Sequence, residues 1–197
     1  MLMNNTSEQY IRNSLKNTLS LVNELLSSKV FIHRVLEATN IITNALSNDN
    51  CVYLAGNGGS AAHAQHFAAE LISRFNFDRN PLPSIALTTD SSIITAVSND
   101  YGFEKVFERQ LAGLAKNGDV FIGFSTSGTS PNIINAINKA NEMDLFTIGI
   151  CGINGIKGSN LNVEISIPSK HTPLIQEMHG VTSHLICDLV EKSIFSN

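Results

Sequence analysis

The chain has 197 residues, of which 43% are hydrophobic and 15% charged, and this length predicts one globular unit with a substantial core. Its formal net charge of −4 argues against nucleic acid as the main ligand, because no positive field would attract a phosphate backbone. The sequence has neither a secretion signal nor an apolar run approaching the about 18 residues of a membrane span, so we expect a cytoplasmic protein.

Two helices are predicted before the first strand. Apolar residues recur at helical spacing from Glu8 to about Ser47, with a break at residues 27–28. No low-complexity linker separates residues 1–48 from residues 49–197, so we expect the helices to pack on the core or on a partner. The small charged fraction also predicts that copies of the chain cover part of its surface, which indicates a homo-oligomer.

Short apolar runs then alternate with helix-forming stretches along the remainder of the chain. Continuous apolar strands of this kind are typical of a parallel sheet with helices on both faces. The sequence therefore predicts a doubly wound, flavodoxin-like α/β fold with five parallel strands. The predicted strands are Cys51–Ala55, Ser84–Leu87, Val120–Phe124, Phe146–Ile150 and Val163–Ile167. The predicted helices are Ala61–Phe75, Ser91–Ser98, Glu104–Leu114, Pro131–Glu142 and Pro173–Phe195.

The first strand ends in a glycine-rich loop, residues 56–60, with the sequence GNGGS. Its glycines let several backbone N–H groups approach a bound oxyanion, and Ser60 is predicted to cap the following helix. The loop is neither a P-loop nor a dinucleotide-binding pattern, so no nucleotide cofactor is predicted. Taken alone, it is also compatible with a simple tight turn.

A second loop, residues 125–130 with the sequence STSGTS, offers five hydroxyl groups. Ser130 is predicted to be the N-cap and Pro131 the first helical residue, so free N–H groups and the positive end of the helix dipole point into the loop. This arrangement suits a phosphate monoester and needs no lysine. A solvated Ser/Thr turn is the alternative, but two such loops at the carboxyl ends of parallel strands favour an anion site.

Two helices carry residues with the chemistry of acids, bases and metal ligands. His66 and Glu70 lie within about 40° of each other on the helix after the first loop. Gln176 and His184 lie about two turns apart on the last helix and within roughly 80° in projection. Together these four residues offer the nitrogen and oxygen ligands of a zinc-like ion, although spacing alone does not show that the helices meet.

The alternative for His66 and Glu70 is an ordinary pair on a helix surface. The neighbours of Glu70 are largely apolar, and burial among them would raise its proton affinity and favour a role as a base. We assign structural roles to His33, His63 and His171, leave His179 open, and expect the three irregularly spaced cysteines to be core residues.

Several motifs, in the same order along the chain, resemble the phosphoheptose isomerases of the sugar isomerase (SIS) domain family. The resemblance covers most of the chain, and the length and order of the motifs make it specific. The motifs are residues 56–62 (GNGGSAA), 65–71 (QHFAAEL), 99–103 (NDYGF), 125–128 (STSG) and 175–179 (IQEMH), with His184 downstream.

The resemblance implies one SIS domain over residues 1–197 and a cytoplasmic enzyme that converts sedoheptulose 7-phosphate to D-glycero-D-manno-heptose 7-phosphate. That reaction begins the synthesis of nucleotide-activated heptose for bacterial surface polysaccharide, including lipopolysaccharide. It also implies a homotetramer with one zinc ion per subunit and no nucleotide cofactor. The implied zinc ligands are His66, Glu70, Gln176 and His184, with Glu70 also the base and His184 the acid. The implied substrate contacts are Asn57, Gly58, Gly59, Ser60, Glu70, Asn99, Asp100, Ser125, Thr126, Ser127, Ser130 and Gln176.

The chain departs from the family pattern at two places. Family members usually carry an acidic residue and an arginine before the last motif, where this chain has His171 and Leu174. His63 replaces the usual aspartate of the first core helix. The departures bear on how the sugar hydroxyls are bound, and hence on the substrate.

A non-catalytic role is the main alternative. One member of the SIS family binds the bacterial replication initiator, but it lacks counterparts of Glu70 and His184, which this chain keeps. A sugar-phosphate sensor is a third possibility, but such proteins usually carry a fused DNA-binding domain. The sequence therefore favours the enzyme.

Overall fold

The computed structural model describes residues 5–158 and 160–196, which form five strands and seven α-helices. The strands are β1 Val52–Ala55, β2 Ser84–Ala86, β3 Val120–Ser125, β4 Phe146–Gly152 and β5 Val163–Ile167. The helices are α1 Asn5–Ser27, α2 Lys29–Ser47, α3 Gly59–Ile72, α4 Ser91–Tyr101, α5 Val106–Leu114, α6 Pro131–Glu142 and α7 Thr172–Phe195. A 3₁₀ turn, Phe103–Lys105, lies between α4 and α5.

The five strands form one parallel sheet in the order β2-β1-β3-β4-β5, which confirms the predicted fold class. Strand β1 lies inside the sheet, with β2 on one side and β3 on the other, so the direction of winding reverses between β1 and β3. Every residue of these two strands is buried. Parallel sheets open a crevice at such a reversal, beyond the carboxyl ends of the strands, and both glycine-containing loops begin there.

Helices cover both faces of the sheet. On one face, α2, α3 and α7 pack on the strands through residues such as Ile42, Phe67 and Ile186. On the other face, α5 and α6 contribute Leu111 and Ile137 to a second apolar cluster. The site-bearing helices α3 and α7 are therefore neighbours on the same face.

Helix α1 packs against α7 through only a narrow stripe. Leu21 and Leu25 are buried against Ile175 and Met178. The other apolar side chains of α1 remain exposed, and they are Tyr10, Ile11, Leu15, Leu19, Val22 and Leu26. Among the described helices, none is both long and apolar enough to cross a membrane.

The start of α3 corrects one prediction. Ser60 is not the cap, because the helix begins at Gly59 with Gly58 as the N-cap. The φ angle of Gly58 is 56°, a conformation that glycine adopts readily and that turns the chain into the helix earlier than expected. Ser60 is instead buried in the first turn.

The start of α6 confirms a second prediction. Ser130 is the N-cap and Pro131 the first helical residue, although the Ser130 hydroxyl makes no capping hydrogen bond. It lies instead 3.4 Å from Oγ of Ser125. All three cysteines are free thiols, with two of them buried as predicted and Cys51 partly exposed.

Candidate active site

The two loops beyond β1 and β3 are joined by a pair of side-chain amides. Nδ2 of Asn57 donates to Oδ1 of Asn132, and Nδ2 of Asn132 donates to Oδ1 of Asn57, both at 2.9 Å. Asn57 belongs to the first loop, whereas Asn132 is a buried residue in the first turn of α6, just after the second loop. The two loops are thus held at a fixed separation.

The first loop approaches the last helix very closely. A Cβ atom built on Gly59 would lie 2.5 Å from Nε2 of Gln176, so a side chain at position 59 would displace the end of the Gln176 side chain. Gln176 is partly buried there. This contact brings α7 to the anion-binding loop predicted from the sequence.

The second loop is organised by its own hydroxyl groups. Ser125 Oγ is buried and accepts a hydrogen bond of 3.1 Å from the Gly128 N–H. Ser127 Oγ accepts from the backbone and hydroxyl of Thr129, each at 3.2 Å. Ser127 is exposed, and Thr126 is partly exposed, so these two hydroxyls are accessible while Ser125 supports the loop from inside.

Gly128 fixes the second loop against the segment after β4. Its φ is 71°, and an added Cβ would lie 1.7 Å from the carbonyl oxygen of Gly155. The carbonyl of Gly128 accepts a hydrogen bond of 2.9 Å from the Lys157 N–H. The loop therefore has a close-fitting backbone support that excludes any side chain at position 128.

The histidine and carboxylate residues of α3 and α7 converge, although 118 positions separate His66 from His184. Nε2 of His66 lies 2.9 Å from Nε2 of His184 and 3.3 Å from Oε1 of Glu70. One ligand atom from each of the three residues lies within 4.8 Å of the others. The Glu70 side chain is 22% exposed and that of His66 52%, so the cluster opens to solvent on the His66 side.

The cluster has the donors and the spacing that a metal ion requires. Zinc bonds of about 2.0–2.1 Å at tetrahedral angles place neighbouring ligand atoms roughly 3.3 Å apart. The two distances made by Nε2 of His66 are close to that value, and the donors are nitrogen and carboxylate oxygen. The three residues therefore fit a zinc-like ion, whereas the place of Gln176 as a fourth ligand stays a prediction.

Asn99 and Asp100 occupy the exposed last turn of α4. Asn99 donates a hydrogen bond of 2.8 Å to the Asp100 carboxylate. No hydrogen bond joins either residue to the two loops in the described part of the chain. Phe103 of the same motif lines a cavity of about 140 Å³ beside Asn57. Their contact with substrate stays a prediction.

Comparison with known proteins identifies the family. The model of the SIS domain matches residues 12–152. Phosphoheptose isomerases from Sulfurimonas denitrificans and Aneurinibacillus thermoaerophilus are 43% and 46% identical over 191 and 189 residues. These matches cover 96% and 95% of this chain and 98% and 96% of the relatives. The chain belongs to the phosphoheptose isomerase family of SIS-domain proteins.

Solved structures agree with this assignment. Phosphoheptose isomerases from Francisella tularensis and Neisseria gonorrhoeae match with TM-scores of 0.89 and 0.86 and identities of 32% and 35%. Each match covers 94% of this chain and 98% of the other. As a member of the phosphoheptose isomerase family the chain is an isomerase, as predicted, and these relatives give no support to the initiator-binding alternative.

Two histidines that the sequence did not place in the site lie close to the cluster. The His63 ring is 6.2 Å from the ring of His179, which is fully buried and packs against Phe124. Burial lowers the pKa of His179 to about 4, and the Cys151 backbone, which favours the charged form, only partly offsets it. Burial and the nearby His66 and His184 also lower the pKa of His63.

Both of these histidines are therefore neutral near pH 7 and add no charge next to the cluster. The sequence predicts a structural role for His63 and leaves the role of His179 open. Helical spacing on α7 contained the missing information, because His179 falls on the same buried stripe as Ile175, Met178 and Ile186.

Proposed function

We propose that the chain converts sedoheptulose 7-phosphate to D-glycero-D-manno-heptose 7-phosphate. The observation that carries the proposal is the meeting of Glu70 on α3 with His184 on α7, two helices that also meet at the first loop, where Gln176 approaches Gly59. The near full-length similarity to phosphoheptose isomerases supports this choice of substrate.

In this proposal the phosphate binds at the second loop and the first turn of α6. Backbone N–H groups and the helix dipole there favour an anion without a lysine. Ser127 and Thr126 supply accessible hydroxyls, while Ser125 and Ser130 hold the loop from within. Asn57, Gly58, Gly59 and Ser60 of the first loop and Gln176 would bind the sugar end, with Asn99 and Asp100 across the cavity beside Phe103.

The reaction moves a carbonyl group from C2 of the ketose to C1 of the aldose and leaves the overall composition unchanged. Glu70 would take a proton from C1 and return one to C2, passing through an enediol. His184 would supply a proton to O2 as the carbonyl is lost and accept one from O1 as the new carbonyl forms. The short separation of Glu70 and His184 within one cluster favours this assignment of base and acid.

A zinc ion is part of the proposal, held by His66, Glu70, Gln176 and His184. When bound, zinc would polarise the carbonyl and stabilise negative charge on the adjacent oxygen. Because His63 and His179 are neutral, they add no positive charge next to the cluster, which favours the binding of a cation there.

The predicted homotetramer, with residues 1–48 in its interface, forms part of the same proposal. Exposed apolar side chains on α1 support it, and so does an apolar groove of about 210 Å³ between α1, α2 and α7. Burying such surface stabilises association. A single SIS domain, a cytoplasmic location and a place at the start of heptose synthesis for surface polysaccharide remain predictions from the sequence.

Incubation of the purified protein with sedoheptulose 7-phosphate in heavy water tests the proposed reaction. We expect an aldose phosphate to form with deuterium at C2, as followed by NMR. A parallel incubation after chelator treatment reports the need for metal. Absence of any new sugar phosphate, with and without added zinc, would overturn the proposal.

A further inference from the structure

A buried ion pair lies behind the catalytic cluster. Nε of Arg79 is 2.9 Å from Oε1 of Glu191, and the two side chains are only 2% and 1% exposed. Arg79 belongs to the segment after α3, whereas Glu191 lies on α7. Charges in such a setting require several partners, because desolvation opposes burial of an ion pair.

The guanidinium group of Arg79 contacts the end of α3 directly. Nη2 donates to the carbonyl oxygen of Glu70 at 2.8 Å, and Nη1 donates to that of Leu71 at 2.7 Å. These carbonyls belong to the last turn of α3, where no helical N–H is available to them. Arg79 therefore satisfies and fixes the backbone of the residue that we assign as the base.

The carboxylate of Glu191 fixes the opposite side of the cluster. It accepts hydrogen bonds from the N–H groups of Phe75 at 2.8 Å and Asn76 at 2.6 Å. The Phe75 ring in turn packs against the imidazole of His184, with 5.7 Å between ring centres. Glu191 also follows His184 by seven residues, which places both on one face of α7.

The charge of Glu191 is maintained in this position. Burial alone would raise its pKa, but the hydrogen bonds from Asn76, Phe75 and Arg79 outweigh burial and lower it. The carboxylate is thus ionised at neutral pH and accepts the hydrogen bonds from Phe75, Asn76 and Arg79.

We propose that the Arg79–Glu191 pair positions the cluster, holding Glu70 through its backbone and His184 through Phe75. The two residues touch neither substrate nor metal in this account, and the inference rests on the proposed isomerase function for its kinetic test. Removing a residue that orients such ligands typically lowers metal affinity or activity by about 10- to 100-fold. Arg79 and Glu191 would therefore set the rate of the chemical step and not the binding of the phosphate.

The test uses Arg79→Met, Glu191→Met and the double variant in the full chain. Each single variant leaves one buried charge unpaired and is expected to unfold at a lower urea concentration. The double variant should regain only the part of that loss due to the unpaired charge, because backbone groups of Glu70, Phe75 and Asn76 still lack their partners. In the double variant we expect kcat and zinc affinity to fall about 10- to 100-fold. KM for sedoheptulose 7-phosphate should stay within about twofold, because the phosphate loops are unchanged.

Arg79→Lys gives a second test in a background that keeps the charge pair. Arg79 reaches Glu191 and the two α3 carbonyls from three different nitrogens, and the single nitrogen of a lysine cannot reproduce that planar arrangement. We therefore expect kcat to fall about tenfold again, with a smaller loss of stability than in the single Met variants. Lys139→Met is the control, since it removes a surface pair with Glu142 on α6 and should change none of these quantities. Normal kcat and normal zinc affinity in a folded Arg79→Lys or double variant would overturn the inference.

Wild-type protein assayed in parallel separates this inference from the function. If the wild type does not act on the heptose phosphate, the proposed function fails. The zinc affinities of the same variants still decide whether Arg79 and Glu191 position the cluster.

Discussion

The side-chain amides of Asn57 and Asn132 bond each other in both directions, with each nitrogen 2.9 Å from the opposite oxygen. This pair joins the loop after β1 to the helix after β3, the two strands between which the winding of the sheet reverses. Each amide retains one further N–H and one further lone pair. Asn57 can therefore hold the loops together and still contact a substrate hydroxyl.

Asn132→Leu should weaken substrate binding through this pair. The change removes two hydrogen bonds worth about 1 kcal/mol each, so KM should rise about 5- to 30-fold with a smaller change in kcat. Steady-state kinetics measures both. Asn138→Leu, at an exposed position of the same helix, is the control and should leave KM unchanged. Equal KM values in the two variants would contradict the proposed link between the loops.

Gly128→Ala should destabilise the fold at the second loop. The residue has φ of 71°, and its new Cβ would lie 1.7 Å from the Gly155 carbonyl oxygen, so the backbone must shift. We expect a loss of about 2 kcal/mol or more in the free energy of unfolding, measured in urea. Gly113→Ala on α5 has open space around its Cβ and should instead stabilise by about 0.5–1 kcal/mol. A neutral effect of Gly128→Ala would show that the loop is adaptable.

The free energy of unfolding should fall on acidification because His179 is buried in its neutral form. Its pKa is about 4 in the folded protein against 6.5 for an ordinary histidine, so the unfolded chain binds the proton more readily. This contribution is present in full above pH 6.5 and is lost as the pH falls towards 4. His179→Phe should flatten the pH dependence of the unfolding free energy within this range. Parallel curves for the variant and the wild type would exclude His179 as the source.

His184→Gln should remove the metal site. Loss of one imidazole from the cluster is expected to weaken zinc binding by about 100-fold or more, as measured by competition with a chromogenic chelator. His33→Gln is a matched control, because His33 is exposed on α2 beside Glu37 and outside the cluster. Similar zinc affinities in the two variants would show that the cluster is not the metal site.

The strands of the sheet were predicted well because a buried strand appears in the sequence as a short run of apolar residues. All five strands and the break between α1 and α2 were expected within two residues of their observed bounds. Helix ends were predicted less well. The start of α3 depends on the conformation of Gly58, and its end at Ile72 reflects the long-range bonds of Arg79 to the last α3 carbonyls.

The candidate site was only partly predictable from spacing. Periodicity placed His66 with Glu70, and Gln176 with His184, but only the family resemblance brought the two helices together. Arg79 and Glu191 were missed because charged residues are usually exposed. One indication was present, since Glu191 continues the buried stripe of α7 directly after Val190.

The most direct measurement of the central claim is hydrogen exchange at C1 of sedoheptulose 7-phosphate in heavy water, comparing the wild type with Glu70→Gln. The variant keeps an oxygen at the cluster but lacks the base, so exchange should slow by about 10²- to 10⁴-fold while the Kd for substrate changes little. Zinc content measured on the same samples separates loss of the base from loss of the metal. Exchange at the wild-type rate in the zinc-loaded variant would contradict the account.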